Sequence, residues 1–280
     1  MLKTRILTAA ILVPAVLAAL FLLAPRAWGV VALAVMALAA HEWGRLVGVP
    51  GARWVAAVGG VLVVGLFLLF APAAGFAGGW QGTTLYWVCG IAGVFWLLVA
   101  PGWVIARWPT RGAGMIALGI LLLVAAWMAV VELQARSPWL VLAALAIVWI
   151  ADTAAYFSGR AFGKHKLAPE VSPGKTWEGV FGAWVAVALY AFVLSFFAQD
   201  AGYRGAVTPL ATFVWIVFAL LLASVSVIGD LFESLLKRHA NMKDSGTLLP
   251  GHGGVLDRID ALLAAMPLAA LAAHAFLVRA

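Results

Sequence analysis

SLLKRHANMKDSGTLLPGHGGVLDRID, residues 234–260, decides how the rest of the chain is read. Its 27 residues hold Lys237, Arg238, Lys243, Asp244, His252, Asp257, Arg258 and Asp260, in a chain that is 65% hydrophobic and 10% charged. Gly229-Asp230-Leu231-Phe232-Glu233 extends this polar block back into the end of an apolar run. No uninterrupted apolar run inside the block reaches the roughly 20 residues that cross a bilayer as a helix. The block therefore belongs at a membrane surface, and the remainder reads as the scaffold that holds it there.

A mean hydropathy of +1.07 and a charged fraction far below the soluble average of about 25% mark an integral membrane protein. The apolar runs are long and continuous, not alternating ten-residue segments, so the expected class is all-α and not a barrel. Cys89 is the only cysteine, which excludes a disulfide framework. A net charge of +7 raises the question of nucleic acid. The basic residues sit mostly between spans, so topology explains them and no nucleic-acid partner is expected.

The pattern predicts nine transmembrane helices, near 6–24, 28–47, 54–72, 84–104, 113–132, 138–158, 177–198, 210–229 and 259–278. The first follows Lys3 and Arg5, like a signal peptide. Its apolar run is long for one and no small-residue cleavage site follows, so it reads as a retained span. Alternate loops divide the 18 Lys and Arg residues fourteen to four. The rich side receives Lys3, Arg5, Arg45, Arg53, Arg107, Arg111, Arg160, Lys164, Lys166, Lys175, Lys237, Arg238, Lys243 and Arg258; the other receives Arg26, Arg136, Arg204 and Arg279. Lysine and arginine favour the cytoplasmic side, which places the N-terminus inside. Ala73 to Thr83 falls outside as a short connector with an interfacial Trp80. The Trp residues read as interface anchors or bundle packing.

Residues 1–132 are expected to form five scaffold helices, with possible oligomer contacts. Residues 133–280 are expected to form four more, with cytoplasmic loops 159–177 and 230–260 carrying the chemistry. Asp152, Tyr156 and Arg160 recur every four residues and so share one helical stripe. A carboxylate inside an apolar span marks a partner or a functional site. Here the choice lies between an Asp152–Arg160 interaction and the polar wall of a substrate cavity.

Ser172-Pro-Gly-Lys175-Thr176 offers a hydroxyl, a flexible turn and a lysine just before a helix begins. It suits either phosphate binding at that helix end or simple capping. The P-loop pattern GxxxxGK[ST] is not met. Asp230, Glu233, Ser234 and Lys237 are spaced for one helical face, where Glu233–Lys237 is also an ordinary ion pair. Pro250-Gly251-His252-Gly253-Gly254 is a turn whose glycines admit a ligand to the backbone. Asp257 and Asp260 open the last helix, where its dipole also favours carboxylates. Three aspartates among lysines and arginines suit Mg²⁺, which takes one or two carboxylates plus substrate phosphates. No Cys/His set suits zinc. The constellation reads as Mg²⁺-dependent phosphoryl or nucleotidyl transfer at a membrane surface.

The same residues resemble the signature of the phosphatidate cytidylyltransferases, S-x-x-K-R-x4-K-D-x-G-x2-L-P-x-H-G-G-x2-D-R-x-D. Ser234, Lys237, Arg238, Lys243, Asp244, Gly246, Leu249, Pro250, His252, Gly253, Gly254, Asp257, Arg258 and Asp260 all match. GDLFES, DTAAYFSGRAFGKHKL and SPGKTWEG are also similar to family segments, so the resemblance covers 150–260. Gly174 stands where relatives often carry Lys, and Ala261 where many carry Ser.

The resemblance implies that CTP and phosphatidate, met at the inner membrane of a bacterium, give CDP-diacylglycerol and pyrophosphate. It implies Mg²⁺ on Asp230 and Asp257, to which the spacing adds Asp260, with a second, monovalent cation such as K⁺ as an optional companion. Lys237 and Lys243 are assigned with the two aspartates to catalysis. Ser172, Lys175, Thr176, Ser234, Arg238, Asp244, His252, Gly253, Gly254, Arg258, Asp152 and Arg160 are assigned to substrate. A homodimer is implied as well. Cytidylyl transfer to another lipid phosphate remains open. An anion transporter would spread ionisable residues through its spans, and a lipid-binding scaffold would not need the aspartates.

Overall fold

In lipid, a spanning segment must satisfy its own backbone hydrogen bonds, and the long apolar runs accordingly form helices. The computed structural model describes residues 2–48, 52–71, 76, 78–197, 207–248, 251 and 253–276. Among them are α1 (Leu2–Leu22), α2 (Pro25–Leu46), α3 (Ala52–Phe70), α4 (Gly82–Ala106), α5 (Ala113–Arg136) and α6 (Pro138–Phe162). A two-stranded hairpin, β1 (Lys166–Ala168) and β2 (Ser172–Thr176), follows, then α7 (Trp177–Ser195), α8 (Pro209–Ala240) and α9 (Leu256–Phe276). Seven of these helices are long and apolar enough to cross a membrane; α1 and α3 contribute the shorter apolar helices Ala10–Leu22 and Val58–Phe70. The chain is an all-α polytopic membrane protein.

Hydrogen bonds sort the helix ends into two groups. At one end Trp43 on α2 reaches the Met115 carbonyl on α5 at 2.8 Å, and Thr110 meets His239 at the end of α8 at 2.9 Å. At the other, Gln134 on α5 donates to the Leu23 carbonyl after α1 at 2.9 Å. The Trp80 amide there donates to Glu132 at 2.7 Å. Arg107, Arg111, Lys175, Lys237 and Arg238 make their contacts at the first, charged end, with Glu170, the His239 carbonyl, Asp230, the Glu233 and Asp257 carboxylates, and the Val171 carbonyl respectively. One core runs through both halves of the chain, from Leu20 and Trp28 to Ala270 and Ala273.

Several boundaries and one residue differ from expectation. Trp80 is not an interface anchor: it is buried, with its indole donating to the Met128 carbonyl at 2.9 Å. Ser172–Thr176 is a strand and not a turn, pairing antiparallel with β1 through Lys166 and Thr176. Helix α4 contains a π turn at Phe95–Val99, closed by the Ala100 amide on the Phe95 carbonyl. Pro101 has no amide to continue the ladder, which is why the α pattern gives way there. Helix α8 runs on to Ala240, past the expected end of its span at 229, as the one-face spacing of Asp230, Glu233, Ser234 and Lys237 predicts, and α9 starts at Leu256, three residues before the expected 259. Both extensions carry the charged residues.

Candidate active site

Helices α8 and α9 touch at Gly229. A Cβ there would stand 2.6 Å from the Asp260 carbonyl oxygen and 3.0 Å from Ala264 Cβ, so only glycine allows the approach. The next residue of α8, Asp230, is thereby brought within electrostatic range of Asp260. Asp260 Oδ1 accepts from the Ala261 amide at 2.8 Å.

Asp230 also joins the two polar blocks of the sequence. Lys175 Nζ on β2 lies 2.8 Å from Asp230 Oδ2, and Ser234 Oγ donates to Oδ1 at 3.3 Å. Asp152 on α6 interacts electrostatically with both Lys175 and Asp230. Residues some 80 positions apart thus share one cluster. Two turns along α8, Lys237 pairs with Glu233 on its own helix and with Asp257 Oδ1 on α9 at 2.7 Å. Asp257 Oδ2 accepts from Gly254 N at 2.8 Å, Ser245 N at 2.9 Å and Ser245 Oγ at 3.0 Å. Gly253, at φ 81°, passes so close that a Cβ would lie 2.7 Å from the same oxygen.

The hairpin is held in place from several sides. Arg238 on α8 donates to the Val171 carbonyl at 3.1 Å, and Arg107 forms an ion pair with Glu170 at the hairpin tip. His165 and Glu178 close its base at 2.7 Å. Thr176 ends β2 and caps α7, its Oγ1 accepting from the Gly179 amide at 3.2 Å. Gly159 and Gly163 on and after α6 make room for that threonine; a Cβ on either would come within 3.0 Å of it.

Of the residues predicted from sequence, the structure gathers Asp152, Lys175, Asp230, Ser234, Lys237, Asp257 and Asp260, with Gly253 and Gly254 beside Asp257. Ser172 is half-buried where β2 begins, and Thr176 is buried as a cap. Arg160 reaches Tyr156 Oη at 3.0 Å on the same stripe, not Asp152. Arg238 is turned to the hairpin. Lys243, Asp244 and Arg258 are exposed around the rim. His252 lies outside the described residues.

Sequence reasoning missed Glu42 on α2. It is 0% exposed and accepts from Val255 N at 3.0 Å and Leu256 N at 2.7 Å, and its Oε2 lies 3.0 Å from Ser245 Oγ. The signal was present: Glu42, like Asp152, is a carboxylate inside an apolar run. Glu233 is likewise buried, beside Lys237.

Among the described residues no three His, Cys, Asp or Glu side chains form a ready-made metal cage. The donor chemistry nonetheless fits a hard divalent cation that arrives with phosphates and keeps its waters. Asp230, Asp257 and Asp260 offer carboxylate oxygens, and lysines already neutralise two of them. Such a cluster of alternating charge can hold polyanions and a cation together.

The family model described as "Cytidylyltransferase family" matches residues 3–276. A phosphatidate cytidylyltransferase of Pseudomonas aeruginosa is 41% identical over 272 residues, 95% of each chain. Enzymes of the same name from Haemophilus influenzae and Thermotoga maritima are 50% identical over 131 residues and 42% over 123. These two matches cover 46% and 44% of this chain, and 43% and 44% of theirs. The similarity thus reaches well beyond residues 150–260, through the scaffold helices. A charged cluster assembled from two distant segments and a match along almost the whole length lead to one conclusion: this membrane enzyme belongs to the cytidylyltransferase family.

Proposed function

We propose that the enzyme transfers CMP from CTP to phosphatidate, giving CDP-diacylglycerol and pyrophosphate, at the cytoplasmic face of a bacterial inner membrane. A phosphate oxygen of the lipid attacks the α-phosphorus of CTP. The bond from that phosphorus to the bridging oxygen breaks, and pyrophosphate leaves. The nucleophile is already ionised, so the reaction needs no strong general base. Its demand is to bring two polyanions together and neutralise them.

The contact that carries this reading is Lys175 to Asp230 at 2.8 Å. It makes one site of the hairpin and α8, with cationic and anionic groups side by side. Asp230, Asp257 and Asp260 would hold Mg²⁺, which supplies charge neutralisation at the phosphate oxygens when bound. Lys175 and Lys237, beside these carboxylates, would contact the substrate phosphates. The names of the relatives favour phosphatidate as acceptor. The gathering of basic residues at the charged end favours a cytoplasmic site, where CTP is found. The nine-span topology with its N-terminus inside, an optional monovalent cation and a homodimer belong to the same proposal, the last two from family resemblance.

The test is to incubate purified protein with labelled CTP, phosphatidate and Mg²⁺ and to resolve the lipid products. A labelled liponucleotide is expected, lost with EDTA and restored by excess Mg²⁺. Product with an ether-linked isoprenoid lipid phosphate but none with phosphatidate would reassign the acceptor.

A further inference from the structure

Ser245 and Glu42 are 203 positions apart in sequence and 3.0 Å apart in space. Each Glu42 oxygen also faces a backbone amide: Oε1 takes Val255 N at 3.0 Å, and Oε2 takes Leu256 N at 2.7 Å. Those amides lead into α9, whose first residue is Leu256. Free amides at a helix start attract negative charge, and charge-assisted hydrogen bonds offset the burial of a carboxylate. Glu42 therefore performs from α2 what a capping side chain ordinarily does from the preceding turn. Gly246 and Gly254 leave the space it needs: a Cβ would come within 2.3 Å of Glu42 at the first and 2.4 Å at the second.

The contact continues into the active site. Ser245 Oγ lies 3.0 Å from Glu42 Oε2 and 3.0 Å from Asp257 Oδ2, and it accepts from the Asp257 amide at 3.3 Å. Asp257 Oδ1 in turn pairs with Lys237. A line of direct contacts thus runs from the scaffold helix to the lysine and aspartate of the cluster.

We infer that Glu42 is a positioning residue for cytidylyl transfer: it caps α9 from α2 and, through Ser245, fixes the Asp257 carboxylate against Lys237. The use of that geometry rests on the proposed reaction; the cap itself does not.

Glu42→Gln is the sharpest variant, because shape is kept and chemistry is not. Whichever way the amide turns, its NH₂ faces a backbone N–H, and one hydrogen bond becomes a clash of donors. The expected result is a kcat at least tenfold lower with KM for CTP changed less than twofold, since no substrate contact is removed. Hydrogen exchange at amides 253–257 should speed up at least tenfold while the α5 core keeps its protection. Ser245→Ala should lower kcat in the same way, and the double variant should be no worse than Glu42→Gln alone. A Glu42→Gln enzyme with kcat within twofold of wild type, or with unchanged exchange at 253–257, overturns the inference. Fully multiplicative losses in the double variant overturn the route through Ser245. Should Glu42→Gln fail to fold, Ser245→Ala and Gly246→Ala carry the test, and normal kcat and exchange in both would refute it. If the wild type made no CDP-diacylglycerol while Glu42→Gln still released amides 253–257, the reaction would be wrong and the cap right.

Discussion

Lys175 Nζ on strand β2 and Asp230 Oδ2 on helix α8 stand 2.8 Å apart, although 55 residues separate them. Both side chains remain partly open, 22% and 32% exposed, so a substrate phosphate can compete for the lysine. Lys175→Met should raise KM for CTP and lower kcat, together costing kcat/KM at least tenfold. Combined with Asp230→Asn, the loss should fall well short of the product of the two, because neighbouring groups in one network are not additive. Steady-state kinetics of the four proteins would decide it; independent effects would separate Lys175 from the site.

Asp230→Asn and Asp257→Asn should each reduce turnover by roughly 100-fold or more, the scale on which single electrostatic contributors to a transition state act. Membrane insertion and the size-exclusion profile should be unchanged. Wild-type-like turnover by either purified variant at saturating Mg²⁺ would remove that residue from the proposed metal site.

Gly229→Ala tests the crossing of α8 and α9. The added methyl meets the Asp260 carbonyl, Ala261 Cα and Ala264 Cβ, backbone and helix core that have nowhere to retreat. Overpacking of this sort costs about 1–3 kcal/mol. The thermal midpoint should drop, and activity should drop further than stability at the assay temperature explains, because Asp230 moves relative to Asp260. A variant as active as wild type would show that the spacing of the two aspartates is not critical.

What the sequence conveyed, and what it withheld, follows from the range of the forces involved. Helix periodicity is local, and it correctly placed Asp230, Glu233, Ser234 and Lys237 on one face of a helix that continues past its span. Charge alternation between loops grouped the polar segments at one end of the bundle. The hairpin was not legible: β2 is Ser-Pro-Gly-Lys-Thr, with neither alternation nor β-branched residues before Thr176. It is held as a strand by Arg238, Arg107 and its pairing with β1. Glu42 was visible as a carboxylate in an apolar run, but its partners lie more than 200 residues away. Trp80 looked like an interface residue because its buried partners, Glu132 and the Met128 carbonyl, belong to a different helix.

Thr176 separates two roles that its sequence context left open. Its hydroxyl caps α7 and is buried among Gly159, Gly163 and Gly179. Thr176→Val keeps the shape and removes the acceptor, which should cost about 1 kcal/mol as for other lost caps. KM for CTP should not move, and Thr176→Ser should restore most of the stability. A rise in KM without a fall in thermal midpoint would instead give the hydroxyl to the substrate.

The halves of α6, α7, α8 and α9 away from the charged end enclose an apolar cavity of about 640 Å³, lined in part by Ala143, Ile147, Tyr190, Leu222 and Ala272. At 1.5 Å per helical residue, Ile147 lies roughly 8 Å from Asp152 along α6 and Leu222 roughly 12 Å from Asp230 along α8. A lipid phosphate at Lys175 would therefore place its acyl carbons at the depth of this cavity, on the same helices. Ala143 and Ala272 are only partly buried, so Ala143→Phe and Ala272→Phe would fill space without forcing helices apart. On the proposed reaction, each should lower kcat/KM for long-chain phosphatidate several-fold. KM for CTP and turnover of a short-chain phosphatidate should stay as they are. Equal losses for short and long chains, with the thermal midpoint held, would mean that the acyl chains lie elsewhere.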